Sequence, residues 1–388
     1  MVTVESIAAV RQQLREQMPV AQKWAYFDHA AVGPISQPAA DAVARWSDVA
    51  LLEGDTQWPT WNASLEATRA QAGDMVNAHT DEIALVPSTT AGVNIVAEGM
   101  PWQSGDNVVI AANEFPTNQY PWLNLQSRGV EVRCFEPSED GAIAPDSVAE
   151  LCDRRTRIVS LSWVGFASGY RLNPKLFAEV AHDAGALFFL DAIQGLGVFP
   201  LDVRESGVDF FAADGHKWML GPEGAGLFYL KKQHLDLLRP TGLGWNSVAR
   251  RHDFNHIELK LRDRAARFEG GSHNMVGFHA LGASLKLFAD CGLSSRGSPL
   301  AEAVLHIATH AADQLREIGA QLTRPRDETC QSGIICFAKP GQDPQQLREK
   351  CLAAGVALAC RDGRLRISPH AYNNEEDVAR LIDVLSGP

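Results

Sequence analysis

The chain has 388 residues, 45% hydrophobic and 21% charged, which suits one large or two ordinary folded domains and excludes a disordered or fibrous chain. Asp and Glu outnumber Lys and Arg by 47 to 35, a formal net charge of −12 with no basic run, which excludes a duplex-binding surface. No apolar run approaches the roughly 18–20 residues of a membrane span.

The first residues set Ile7, Val10 and Leu14 at helical spacing among Glu5, Arg11, Arg15 and Glu16, predicting an amphipathic helix and not a signal peptide. Either part of the chain that follows could receive its apolar face. Seven short apolar runs rich in Val, Ile and Phe then read as buried strands, at 83–87, 107–112, 130–136, 157–164, 186–191, 210–213 and 224–230. Helical patterns at 147–152 and 174–184 lie among them, and this alternation means an α/β layer with a mostly parallel sheet. The Gly221-Pro222-Glu223-Gly224 turn would add an antiparallel strand. After about residue 275 the character changes. Helical patterns at 276–291 and 300–318 precede strand-like runs at 332–338 and 355–360, with a helix at 344–354 between them. A strand at 364–368 and a helix at 374–385, capped by Asn374, close the chain. The expected organisation is a helical segment over 1–25, a large α/β domain over 26–275 and a smaller α+β domain over 276–388. The seven cysteines are scattered and form no Cys-x-x-Cys pair, which predicts a reduced, cytoplasmic protein with neither disulfide framework nor zinc site.

Ligands of open α/β sheets bind beyond the carboxyl ends of the strands. Four segments that follow predicted strands carry chemistry there. Ser88-Thr89-Thr90-Ala91-Gly92 opens a helix, where free amides and the helix dipole suit a phosphate, although such hydroxyls also serve as simple caps. Asp191-Ala192-Ile193-Gln194 follows a very apolar strand, so its carboxylate needs a partner; a protonated heterocyclic nitrogen, a helix cap or an ion pair would each serve. Asp214-Gly215-His216-Lys217-Trp218 puts a lysine where desolvation would make it a better nucleophile, unless it is a solvated turn lysine. Asn113-Glu114-Phe115-Pro116 offers a ring that would stack on a flat ligand or fill the core. Together these are the parts needed to hold pyridoxal phosphate.

With these residues in view the sequence resembles the class V aminotransferases, fold-type-I enzymes that include cysteine desulfurases, selenocysteine lyases, isopenicillin N epimerase-like proteins and kynureninase. The resemblance runs from Tyr26-Phe27-Asp28-His29-Ala30-Ala31-Val32-Gly33-Pro34 to about residue 382, and is most specific at Asp191-x-x-Gln194 and His216-Lys217-Trp218. It implies a large domain with a mostly parallel seven-stranded sheet, a smaller α+β domain, and pyridoxal 5′-phosphate as cofactor. Lys217 would form the Schiff base and then move the proton at the substrate's Cα. Asp191 would pair with the pyridine nitrogen, Gln194 with the phenolic oxygen, and Phe115 would stack where desulfurases carry a histidine. Thr89, Thr90 and His216 would hold the phosphate. Asp214 stands where several relatives have a phosphate-binding serine, and would orient His216 or Lys217 instead. Phe268-Glu269-Gly270-Gly271-Ser272 resembles the segment that reaches a neighbouring subunit's phosphate, so Gly271 and Ser272 imply a homodimer. Arg364-Leu365-Arg366-Ile367-Ser368-Pro369-His370 resembles the motif whose arginine, here Arg366, binds the α-carboxylate. His29 and Arg171 are further candidate substrate contacts.

The reaction expected is transamination or a desulfurase- or selenocysteine lyase-like cleavage of an α-amino acid. Neither Cys351 nor Cys360 is placed like a desulfurase nucleophile. Epimerisation is the alternative and would recruit a second base from His29, Tyr170, His273 or Tyr372. A nucleotide-binding dehydrogenase would need Gly-x-Gly-x-x-Gly after the first strand, and this chain has Ser-Thr-Thr-Ala-Gly there. A cofactor-binding regulator or an inactive relative is disfavoured by the acidic charge and by the presence of Lys217, Asp191 and Arg366.

Overall fold

The structure, a computed structural model, describes residues 4–387. In chain order its elements are α1 (Val4–Glu16), β1 (Ala25–Tyr26), α2 (Gln37–Glu53), α3 (Trp58–Val76), β2 (Ile83–Val86), α4 (Thr89–Gly99), β3 (Asn107–Ala111), α5 (Tyr120–Asn124), β4 (Glu131–Phe135), α6 (Pro145–Ala149), β5 (Thr156–Ser162), α7 (Pro174–Asp183), β6 (Leu187–Asp191), α8 (Val203–Ser206), β7 (Phe210–Asp214) and β8 (Gly226–Leu230). They continue with α9 (Met275–Asp290), α10 (Pro299–Glu317), β9 (Gln321–Thr323), β10 (Ile335–Ala338), α11 (Pro344–Ala353), β11 (Val356–Ala357), β12 (Ala359–Arg361), β13 (Arg364–Ile367) and α12 (Glu375–Ser386).

The seven predicted strands form one sheet in the order β2-β8-β7-β6-β5-β3-β4. β4, β3, β5, β6 and β7 run parallel, and β8 is antiparallel to both of its neighbours. The turn before β8 therefore does what its Gly and Pro content predicts. Side chains alternate between the sheet's two faces. Phe188 and Leu190 enter one core layer and Phe189 the other; Phe211 and Ala213 oppose Phe210 and Ala212 in the same way. With both faces covered, the strands read as continuous apolar runs.

Two further sheets form around the C-terminal part. One is antiparallel, ordered β12-β13-β10-β9, and the other pairs β1 with β11 in parallel. The single strand expected at 355–360 is thus split at Leu358. Its first half joins Ala25–Tyr26 and its second half joins β13. A third core layer holds Phe27, Ile335, Phe337, Ile367 and Leu381. The helix α1 packs on α10, with Leu14 buried, and Arg11 and Arg15 pair with Glu375 at 2.7 Å and Asp377 at 2.8 Å. All seven cysteines are free thiols. Among the described residues no helix is long and apolar enough to cross a membrane.

Candidate active site

A cavity of about 310 Å³ opens beyond the carboxyl ends of β2, β3, β5, β6 and β7. Its lining contains Thr89, Thr90, Phe115, Asp191, Gln194, Asp214, His216, Lys217 and Arg366, so nine residues singled out from the sequence meet in one place.

One end is built by the start of α4. Ser88 Oγ caps the helix by accepting from the Ala91 amide at 3.1 Å. Helix geometry leaves the preceding amides without an intrahelical partner. Thr89 Oγ1 accepts from the Asp214 amide at 2.9 Å, fastening α4 to the end of β7, and Thr90 Oγ1 meets Thr117 Oγ1 at 3.0 Å. Gly92 permits this approach, since a Cβ there would lie 2.5 Å from Ala212 Cβ. His216 Nδ1 lies 3.0 Å from Asp214 Oδ2. Asp214 Oδ1 accepts from the Gly215 amide at 2.7 Å.

The floor is built by β6 and the turn after β7. Asp191 is buried, and among the described residues the one donor to its carboxylate is the Ile193 amide at 3.1 Å. Burial pushes its pKa up to about 6 against that hydrogen bond and the charge of Lys217. Lys217 is 8% exposed. Desolvation brings its ammonium down to about 8, opposed by Asp191 and reinforced by Arg366. Its Nζ sits 5.5 Å from the centre of the Phe115 ring. Gly33 lets the 26–34 segment close on this turn: its amide donates to the His216 carbonyl at 2.7 Å, and a Cβ there would collide with the Lys217 carbonyl oxygen.

The far end comes from the small antiparallel sheet. Arg366, 1% exposed, donates through Nη1 to the Phe166 carbonyl at 2.8 Å, and its Nη2 lies 3.4 Å from Asp28 Oδ1. Its buried Nε has no hydrogen-bond partner among the described residues. Arg364, two residues earlier, does not line the cavity.

These features fit pyridoxal phosphate. The free helix amides, with the His216 imidazole in the lining beside them, suit a phosphate. A buried carboxylate with one donor suits a protonated ring nitrogen. Phe115 is 44% exposed over the cavity, an apolar face that stacking would cover.

Other candidates lie elsewhere. His29 is fully buried outside the lining; its Nδ1 donates to the Ser368 carbonyl at 2.8 Å and its Nε2 accepts from Tyr372 Oη at 2.8 Å. Arg171 spends its guanidinium on the Gln331 and Thr329 carbonyls, stacked on Phe199. His273 is paired with Glu269, and Tyr170 lines a separate small cleft. None of the four groups considered as a second base lines the cavity. Gly271 and Ser272 line a different cavity of the same chain, together with Ala91 and Asn94 of α4.

Sequence reasoning missed Phe166, whose ring meets Phe115 edge-on at 5.3 Å, and Arg361, both in the lining. It also passed over Glu114, a buried carboxylate that accepts from the Ser162 amide at 2.7 Å and from the Ser162 hydroxyl. Its signal was the one that found Asp191, an acid just past an apolar strand.

The family model of aminotransferase class-V matches residues 25–381. A probable cysteine desulfurase of Methanothermobacter thermautotrophicus is 30% identical over 96% of this chain and 97% of that protein. The uncharacterized aminotransferase YcbU of Bacillus subtilis is 27% identical over 97% of each. Among solved structures, the cysteine desulfurase of Thermococcus onnurineus superposes with a TM-score of 0.86 over 97% of both chains at 23% identity. A mutant of C-DES, which carries glycine covalently linked to its PLP cofactor, superposes with a TM-score of 0.89 at 21% identity, over 96% of this chain and 98% of that one. These likenesses place the fold among fold-type-I enzymes and set aside the nucleotide-binding dehydrogenase. The chain belongs to the class V aminotransferases, and its cofactor is pyridoxal phosphate.

Proposed function

We propose that this enzyme acts on an α-amino acid, with Lys217 as the group that anchors the cofactor and then moves the proton at the substrate's Cα. The observation that carries this reading is the meeting of a buried, weakly basic Lys217 with Asp191, Gln194, His216 and Arg366 in one cavity. Bound pyridoxal phosphate supplies an electron sink for charge left at Cα. Asp191 would hold a proton on the ring nitrogen, and Gln194 would donate to the phenolic oxygen. Thr89, Thr90 and His216 would hold the phosphate, with Asp214 orienting His216. Phe115 would cover one face of the ring and exclude water. Arg366 would fork onto the α-carboxylate and fix the Cα bond to be broken. Lys217, brought to about 8, is poised to accept and return a proton near neutral pH.

The reading extends to a reaction without a cysteine nucleophile. None of the seven cysteines lines the cavity. Cys336, opposite Arg366 in the ladder, is buried with its thiol on the Ala167 carbonyl at 2.6 Å, and burial pushes its pKa up to about 11. Cleavage of a β-substituent or amino transfer then relies on Lys217 alone. We place the enzyme in the cytoplasm as a homodimer, supported by seven free thiols and by the position of Gly271 and Ser272 away from their own chain's cavity. The test is a visible titration of the cofactor-loaded protein with single amino acids, each mixture assayed for oxo acid and for sulfide. Sulfide or oxo acid from a variant lacking all seven cysteines supports the reading; activity lost on replacing one cysteine by serine, with the cofactor band intact, sinks the cysteine-independent part.

A further inference from the structure

We propose that Arg361 sets the substrate class: an α-amino acid whose side chain ends in a second anionic group. This deepens the proposed function and rests on it.

β12 and β13 form a hairpin closed by Asp362 and Gly363, both in the left-handed region with φ of 48° and 69°. So tight a turn pairs Arg361 with Arg364 and Ala359 with Arg366. Positions two apart on a strand share a face. Arg361 therefore stands on the face that carries Arg366, nearer the hairpin's tip, and both side chains line the cavity.

The two guanidiniums differ in what already satisfies them. Arg366 is buried, has Asp28 at 3.4 Å and is fixed to the Phe166 carbonyl. One α-carboxylate completes it. Arg361 is exposed, donates only to the adjoining Cys360 carbonyl at 3.0 Å, and has no carboxylate within ion-pair distance among the described residues. The acids that line the cavity, Asp191 and Asp214, belong to the opposite, cofactor end. With Asp28 beside Arg366, a substrate carrying only an α-carboxylate would leave the exposed Arg361 without an anion of its own. A second carboxylate, sulfinate or like group on the side chain would restore the balance. A guanidinium also forks onto such a group with directional hydrogen bonds.

The test uses the cofactor-loaded enzyme and two readouts, the dissociation constant from the visible spectrum and kcat/KM. The panel is L-aspartate, L-glutamate and L-cysteine sulfinate against L-alanine, L-serine and L-cysteine. Wild type is expected to favour at least one acidic member tenfold or more. Arg361→Gln is expected to lose at least tenfold more affinity for that member than for the neutral ones, and Arg361→Lys to recover part of the loss. A wild type that prefers the neutral amino acids overturns the proposal without any variant. So does an Arg361→Gln that weakens both groups equally. A protein that takes up no pyridoxal phosphate gives no visible band at all, and it is then the reading of the whole site that fails.

Discussion

The indole nitrogen of Trp218 donates to Gln194 Oε1 at 2.7 Å, while Gln194 Nε2 donates to the Ala30 carbonyl at 3.0 Å. Because an indole can only donate, this bond fixes which end of the amide faces Trp218. The second proton on Nε2 stays free to donate within the cavity. Trp218 is thereby a positioning residue next to Lys217 in sequence. Trp218→Phe should release the amide and weaken pyridoxal phosphate binding roughly 2- to 12-fold, the worth of one hydrogen bond of about 0.5–1.5 kcal/mol. The absorbance of the bound cofactor should shift as well, since its phenolic oxygen loses an oriented donor. Unchanged affinity and an unchanged spectrum would mean that Gln194 is held by Ala30 alone.

Capture of the cofactor by Lys217 should follow the amine's titration. Desolvation lowers its pKa to about 8, so the neutral nucleophile is half-populated there and not near the usual lysine value of about 10.4. The yield of cofactor fixed to the protein by borohydride in short incubations should rise with pH and level off above about 8. Lys217→Ala should abolish fixation and leave the cofactor dialysable. A midpoint near 10 would show a solvated lysine.

Much of this site was legible because its parts sit where strands end. Asp191, Phe115 and Lys217 each follow an apolar run whose composition fixes both strand and register, so position beyond the strand could be read directly. Arg366 was found by its motif, and burial separates it from Arg364. Arg361 escaped because an arginine before Asp-Gly reads as a solvated hairpin tip; only the pairing of β12 with β13 turns it toward the cavity. His29 and Arg171 misled for the opposite reason. Both lie near site segments in sequence, but His29 is consumed by Ser368 and Tyr372, and Arg171 by backbone carbonyls. The split at Leu358 was invisible because one apolar run serves two sheets.

Asp191 and Glu114 are buried carboxylates with raised pKa values of about 6 and about 7, burial being the main cause in both, and Asp191 adds to the shift of Glu114. A folded-state value above the unfolded one means that the native protein holds more protons, so stability is lost as pH rises through that window. The cofactor-free protein should therefore melt at a lower temperature at pH 8 than at pH 5.5. Asp191→Asn removes one contributor and should flatten that dependence. In the loaded enzyme the same substitution takes the anion from the ring nitrogen, and kcat should fall by about 100-fold or more, on the order of 3 kcal/mol. A melting profile that Asp191→Asn leaves unchanged would show that Asp191 ionises freely in the cofactor-free fold.

Glu269 and Arg69 form a fully buried pair beside the 270–272 segment. Arg69 Nη2 reaches Glu269 Oε2 at 2.9 Å and its Nη1 binds Oε1, while the Leu85 amide donates to Oε1 at 2.8 Å and His273 Nε2 lies 2.7 Å from Oε2. Arg69 also donates to the Ile83 carbonyl at 2.9 Å, so the pair ties α3 and β2 to the stretch that presents Gly271 and Ser272. Despite burial, Arg69 and His273 hold the Glu269 carboxyl well below its usual range. A depressed carboxylate pKa stabilises the fold above the unfolded value of about 4.3 and loses that contribution as pH falls below it. Arg69→Met should cost about 3–5 kcal/mol at pH 7, because it strands a buried charge. Replacing both residues together, as Arg69→Met with Glu269→Gln, should cost less than Arg69→Met alone. Glu269→Gln by itself should flatten the loss of stability between about pH 5 and pH 3. Thermal or urea unfolding of the three variants against pH measures all of this. If Arg69→Met costs under about 1 kcal/mol, the charge left on Glu269 finds water or a proton, and the pair does not hold the segment.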